Sequence, residues 1–172
     1  MPKRPQDELN EISFNLVLDK FTRRAATARK DEQRQNLREI AAAVIFDTSD
    51  RLLLQLRDDK PDILYPGKVA LFGGHREGDE TFLECVVREI HEELGYFIPP
   101  ARFEKIAQRS GPDFEIPGGT FCAEFFVVRD VPAEQLIVTE GTLKIVELND
   151  LPAIVGELTP SALFALTTLA LT

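Results

Sequence analysis

Residues Gly74 to Tyr96 read GHREGDETFLECVVREIHEELGY, and within them Arg88-Glu89-Ile90-His91-Glu92-Glu93 sets three carboxylates at spacings i, i+3 and i+4. On a helix, those spacings bring Glu89, Glu92 and Glu93 to one face. Each close like-charged pair costs about 0.2–0.5 kcal/mol unless something cationic faces it. A hard divalent cation with oxygen ligands meets that need, which points to Mg²⁺ or Mn²⁺. At 3.6 residues per turn the three acids span an arc of about 100°. Leu83, Val86, Val87, Ile90 and Leu94 fill the adjoining arc. One side of the helix is therefore expected to pack into a core while the neighbouring side faces a cleft.

Local signals bound this helix at Phe82 and Leu94. Thr81 and Glu84 have the spacing of a capping box, and Gly95 is a good terminator. A plainer reading makes Glu84, Arg88 and Glu92 an i, i+4 ladder on a solvated helix. That ladder leaves Glu89 and Glu93 without partners.

Apolar runs around the helix read as strands: Ile40 to Phe46, Arg51 to Arg57, Val69 to Phe72, Phe103 to Arg109, Thr120 to Arg129 and Leu143 to Val146. Asp47 to Asp50 reads as a turn, and Asp58 to Gly67, with its two prolines, as a loop. Thr159 and Pro160 suit the N-cap and N1 positions of a closing helix. Strands around one central helix, closed by another, imply an α/β sandwich with a mixed sheet.

The first 38 residues differ from the rest. Ile12, Phe14, Leu16 and Leu18 alternate as in a strand, whereas Leu9, Ile12 and Leu16 fit a helical stripe; both readings stay open. Arg23 to Arg38 is rich in Ala, Arg, Lys, Glu and Gln and reads as a helix with little apolar surface, more readily a solvated helix than a packed extension or a dimer element. Residues 1–38 are thus expected to form an N-terminal helical extension, and 39–172 the main domain.

The net charge of −9 weighs against general nucleic-acid binding. No run approaches the roughly 18 apolar residues that a membrane helix needs. Cys85 and Cys122 form no CxxC or zinc spacing, so a reducing, cytoplasmic setting is expected.

The helical stretch and its lead-in resemble the signature of the Nudix family, G-x5-E-x7-R-E-U-x-E-E-x-G-U, where U is a bulky aliphatic residue. Gly74, Glu80, Arg88, Glu89, Ile90, Glu92, Glu93 and Gly95 fall at its positions, while Tyr96 replaces the usual aliphatic residue. Asp79 stands where many members carry Gly. The resemblance runs from about Ile40 onward and implies the Nudix α/β/α sandwich, with a mixed sheet and the signature as a loop–helix–loop. The implied activity is Mg²⁺-dependent cleavage of the diphosphate linkage of a nucleoside diphosphate derivative. Nucleoside triphosphates and nucleotide sugars such as ADP-ribose both belong to that class.

By the same resemblance, Glu92 and Glu93 would be principal metal ligands, and the Gly74 carbonyl would complete the coordination. Glu89 would be a third ligand or the group that deprotonates the attacking water. Arg88 would orient the glutamates, and Glu80 would be structural. Glu140 matches loosely a late-loop acid that serves the family as ligand or base; an ordinary turn acid is the equal alternative. His75 is a candidate for approaching phosphate, and Tyr65, Phe72 and Phe97 for stacking on a base. Pro112 lies roughly where ADP-ribose hydrolysing members carry a proline. The partner would be a small-molecule nucleotide diphosphate, and pairing into a homodimer is a family habit. Two other readings compete. A nucleotide-sensing module without catalysis would require a damaged signature or an attached DNA-reading domain; this signature is whole, and the first 38 residues are too few to claim a helix-turn-helix. An isomerase of isoprenoid diphosphates would require a catalytic cysteine pocket, whereas Cys85 sits on the signature helix and Cys122 within a strand.

Overall fold

Chain geometry begins with β1 (Leu37–Asp47), whose side chains alternate between two apolar faces. Ala41, Ala43 and Ile45 enter one buried cluster, and Ala42, Val44 and Phe46 enter another on the opposite side. A strand buried on both faces must be covered by helices on both, which sets the layering. The computed structural model describes residues 37–113 and 116–171. The stretch around Ile12 to Leu18 and the helix expected over Arg23–Arg38, up to residue 36, lie outside the described residues.

Among the described residues, one sheet contains β1, β2 (Leu52–Leu56), β3 (Val69–Ala70), β4 (Phe72–His75), β5 (Glu104–Asp113), β6 (Gly119–Val131) and β7 (Thr142–Val146). The β1–β6 pairing is parallel and every other pairing is antiparallel, so the sheet is mixed as expected. Near Asp47 and Leu52, β1 and β2 pair directly, through Ile45↔Leu53 and Phe46↔Leu52. Beyond that they splay. The β3–β4 segment wedges between them, with Gln55↔Ala70 on one side and Ala41↔Gly74 on the other.

Helix α1 (Phe82–Leu94) covers one face with Cys85, Val86, Ile90 and Leu94. The Thr81–Glu84 capping box and the left-handed Gly95 cap form as the sequence implies. Helix α3 (Pro160–Thr168) covers part of the other face with Ala162, Ala165 and Leu166. Thr159 caps it through the Ala162 amide, with Pro160 in its first turn. The short helix α2 (Leu151–Ile154) buries Leu151 before α3 begins. The result is the expected α/β/α sandwich.

Strand β1 departs from expectation at its start. Leu37 and Arg38 pair with Thr120 and Phe121 of β6, so they are strand residues and not the end of a helix. Long-range parallel pairing here overrides a weak local preference for helix. The sheet therefore begins two residues before the expected domain start at residue 39.

Candidate active site

The site is built where α1 passes beneath the β3–β4 wedge. Gly73 and Gly74 give β4 an edge without side chains. A Cβ on Gly73 would lie 2.2 Å from the Ala41 carbonyl oxygen, and its φ of +137° also favours glycine. At Gly74 a Cβ would lie 2.4–2.5 Å from the carboxylate atoms of Glu89. The bare edge is what lets carboxylates from α1 approach the strand backbone and the cleft beyond it.

Glu93 lies deepest, at 7% exposure. Its Oε2 accepts the Gly73 amide at 2.8 Å, and its Oε1 accepts Gln55 Nε2 at 3.2 Å. Burial raises its pKa to about 7, and the charges of Glu140 and Glu89 push the same way against those two hydrogen bonds. Glu89 is half-buried, and burial raises its pKa as well, opposed by Arg88. Glu92 is placed differently. Its side chain is 59% exposed and bound to Arg88 Nη1 at 3.1 Å, outside the cleft lining.

Arg88 ties these acids together. Its Nε and Nη2 donate to Glu80 at 3.1 and 2.8 Å, its Nη1 pairs with Glu89 at 2.9 Å, and Nη2 also donates to the His75 carbonyl at 3.0 Å. The hydrogen bonds from Arg88 hold Glu80 down to about 2, and Glu80 in turn raises the Arg88 pKa. Beneath the pair lies Cys85, fully buried, its thiol pushed up to about 12 by burial. It is a packing residue, inert as a thiolate at neutral pH.

Above the acids opens a cleft of about 580 Å³ that receives Gly73, Gly74, Glu89, Glu93 and Glu140 at one end. His75, Tyr65 and Pro112 also line it. Phe72 does not, because it is fully buried in the core beneath α1. Phe97 is exposed and packs edge-on against His91 at 5.9 Å, outside the cleft lining. Among the described residues, no three His, Cys, Asp or Glu side chains converge tightly enough to enclose a metal ion. The arrangement instead offers two partly desolvated carboxylates on the cleft floor, a third beside them on Arg88, and Glu140 in the late loop.

Two contributors escape a reading of the sequence. Gln55 is 3% exposed and links Glu93 to the late loop, donating to the Glu140 carbonyl at 3.1 Å. Its polar place in an otherwise apolar strand, LLLQL, was the available signal. The Gly73 amide has no signal in side-chain chemistry at all.

Comparison with known proteins agrees with this architecture. A crystal structure of a MutT NUDIX hydrolase from Burkholderia pseudomallei aligns over 77% of this chain and 97% of its own, with a TM-score of 0.61 and 26% identity. The E. coli dihydroneopterin triphosphate pyrophosphohydrolase shares the fold at 21% identity and a TM-score of 0.57, over 74% of this chain and 90% of its own. Nudix hydrolase 3 of Arabidopsis thaliana is 41% identical over 64 residues, which are 37% of this chain but only 8% of that protein. The family model for the NUDIX domain matches residues 36–161, and the chain belongs to the Nudix family.

Proposed function

We propose that the chain is a divalent-metal-dependent pyrophosphohydrolase acting on a nucleoside diphosphate derivative. The observation that carries this reading is the pairing of Glu93 and Glu89 on the cleft floor beside a strand edge stripped of side chains. Two carboxylates held partly out of water, facing open space, are costly unless a cation joins them. The donor set is all oxygen, which suits Mg²⁺ or Mn²⁺ rather than a softer metal. Glu89, Glu92, Glu93 and the Gly74 carbonyl are the groups that would hold it. When bound, such an ion supplies charge neutralisation for the diphosphate and a more acidic water.

The chain's own groups account for the rest. Arg88, locked by Glu80, fixes the rotamers of Glu89 and Glu92. Glu89, where it is not itself a ligand, would take the proton of the attacking water; Glu140 is the alternative base from the late loop. Displacement at phosphorus demands mainly positioning and charge stabilisation, so no covalent nucleophile is required.

The test is release of phosphate or nucleoside monophosphate across a panel of nucleoside triphosphates and nucleotide sugars, with and without Mg²⁺. Glu93→Gln should lower metal-dependent turnover by about 10²-fold or more while circular dichroism stays unchanged. Turnover of wild type that survives in EDTA, or an unimpaired Glu93→Gln, would overturn the assignment.

A further inference from the structure

The end of the cleft away from the acids has a chemistry of its own. Arg109 lines it, with its guanidinium over the Phe121 ring at 5.9 Å and over the Phe164 ring at 5.2 Å. Among the described residues that guanidinium makes no hydrogen bond or ion pair. The side chain is exposed, so its donors face water, and its packing against two rings holds the guanidinium at the cleft, where an acceptor that enters can replace that water.

Sheet register gives the span. Arg109 pairs with Ala123, Ala123 with Ile40, and Ile40 with His75, so one row crosses four strands from Arg109 to the residue after Gly74. Three strand spacings amount to about 14 Å, the reach of a diphosphate plus its nucleoside. The lining beside that row is apolar: Ile40 and Ala42, walled by Phe121 and Phe125. Such a surface takes a flat uncharged ring and not a second phosphate. Nearby, Arg38 is matched by Asp113 at 2.8 Å, so its charge is already countered.

We propose that this end of the cleft is a nucleobase subsite in which Arg109 selects bases with a 6-oxo group. A guanidinium fork matches the two neighbouring acceptors O6 and N7 of guanine or hypoxanthine. Adenine places an amino donor where O6 would be, opposite another donor. The choice between oxo and amino purines then rests on Arg109, with the apolar floor supplying contact without discrimination.

This inference rests on the hydrolase reading for the direction in which the substrate lies, and the test separates the two. Equilibrium binding of GMP, IMP and AMP to the full chain in EDTA requires no cleavage. GMP and IMP should bind about tenfold or more tighter than AMP. Arg109→Met, which keeps the length but has no donor, should weaken GMP and IMP to the AMP level and leave AMP unchanged, and Arg109→Lys, which keeps the charge but loses the planar fork, should bind GMP and IMP more weakly than wild type. Melting temperatures of both variants should match wild type, since Arg109 is exposed. Equal affinities in wild type, a preference for AMP, tight binding of GMP but not IMP, or a preference that survives in Arg109→Met would each overturn it. Turnover of the nucleotide panel with Mg²⁺ reports on the acidic end alone: failure there with the GMP preference intact would remove the hydrolase reading and leave the base subsite standing.

Discussion

Arg88 grips Glu80 through two parallel hydrogen bonds, Nε to Oε2 at 3.1 Å and Nη2 to Oε1 at 2.8 Å, eight residues away on the loop that leads into its own helix. The loop carboxylate thereby sets the position of a side chain that also holds Glu89 and Glu92. Glu80→Gln should cost between about 1 and about 3 kcal/mol, since the pair is partly buried. The cost should depend on pH. The folded pKa of Glu80, about 2, lies below its ordinary 4.5, so its contribution is full above about pH 4.5 and fades as the pH falls toward 2. Urea denaturation of both proteins at pH 6 and pH 3 checks this. The gap between them should narrow in acid.

Gly73 and Gly74 should respond differently to alanine. At Gly74 the new Cβ meets the tip of the Glu89 side chain, which can swing aside. Gly74→Ala should melt within a few degrees of wild type yet lose turnover about tenfold or more, because the carboxylate has left its place. At Gly73 the clash is with the Ala41 backbone, and φ is +137°. Gly73→Ala should therefore lose more than about 2 kcal/mol of stability and express poorly. Thermal melts beside activity assays separate the two cases.

That contrast also marks the boundary of what the sequence discloses. The acids of α1, its capping box and its Gly95 stop are local patterns, so spacing along the chain sufficed to place them. So did the strands of the core, through their apolar runs. Gln55 against Glu93, and Arg109 against Phe121 and Phe164, depend on register between distant strands and on where α3 lands. No window of residues encodes them. Leu37 and Arg38 went astray for the same reason: their pairing partners on β6 are more than eighty residues away. Glu92 was legible as an acid on the ridge, but its attachment to Arg88 depends on how one guanidinium divides itself among three carboxylates.

Metal-free protein should lose stability as the pH rises from about 4.5 to about 7. Glu93 has its folded pKa raised to about 7 from 4.5, so its neutral form is favoured in the fold and that advantage disappears across this window. The change is at most about 3 kcal/mol, from roughly 1.4 kcal/mol per pKa unit. Mg²⁺ should reverse it by favouring the ionised carboxylate, with proton release on binding. Melting curves in EDTA and in Mg²⁺ between pH 5 and 8 should diverge as the pH rises. Glu93→Gln should flatten both.

Gln55 offers the most specific probe of the link between α1 and the late loop. Its amide donates to Glu93 Oε1 and to the Glu140 carbonyl at once, so one side chain fixes the depth of a carboxylate and the position of the loop that carries another. The hydrogen bond to Glu93 favours the ionised form and opposes the rise caused by burial. Gln55→Leu keeps the volume and removes both bonds. Glu93 should then hold its proton to higher pH, moving the acid limb of the pH–rate profile upward. The Glu140 loop should loosen as well, seen as faster amide exchange at Glu140 and Gly141. Gln55→Glu would instead add a further negative charge beside Glu93 and shift the same limb further in the same direction. An acid limb that stays put in both variants would mean that Glu93 does not govern the ionisation on which turnover depends.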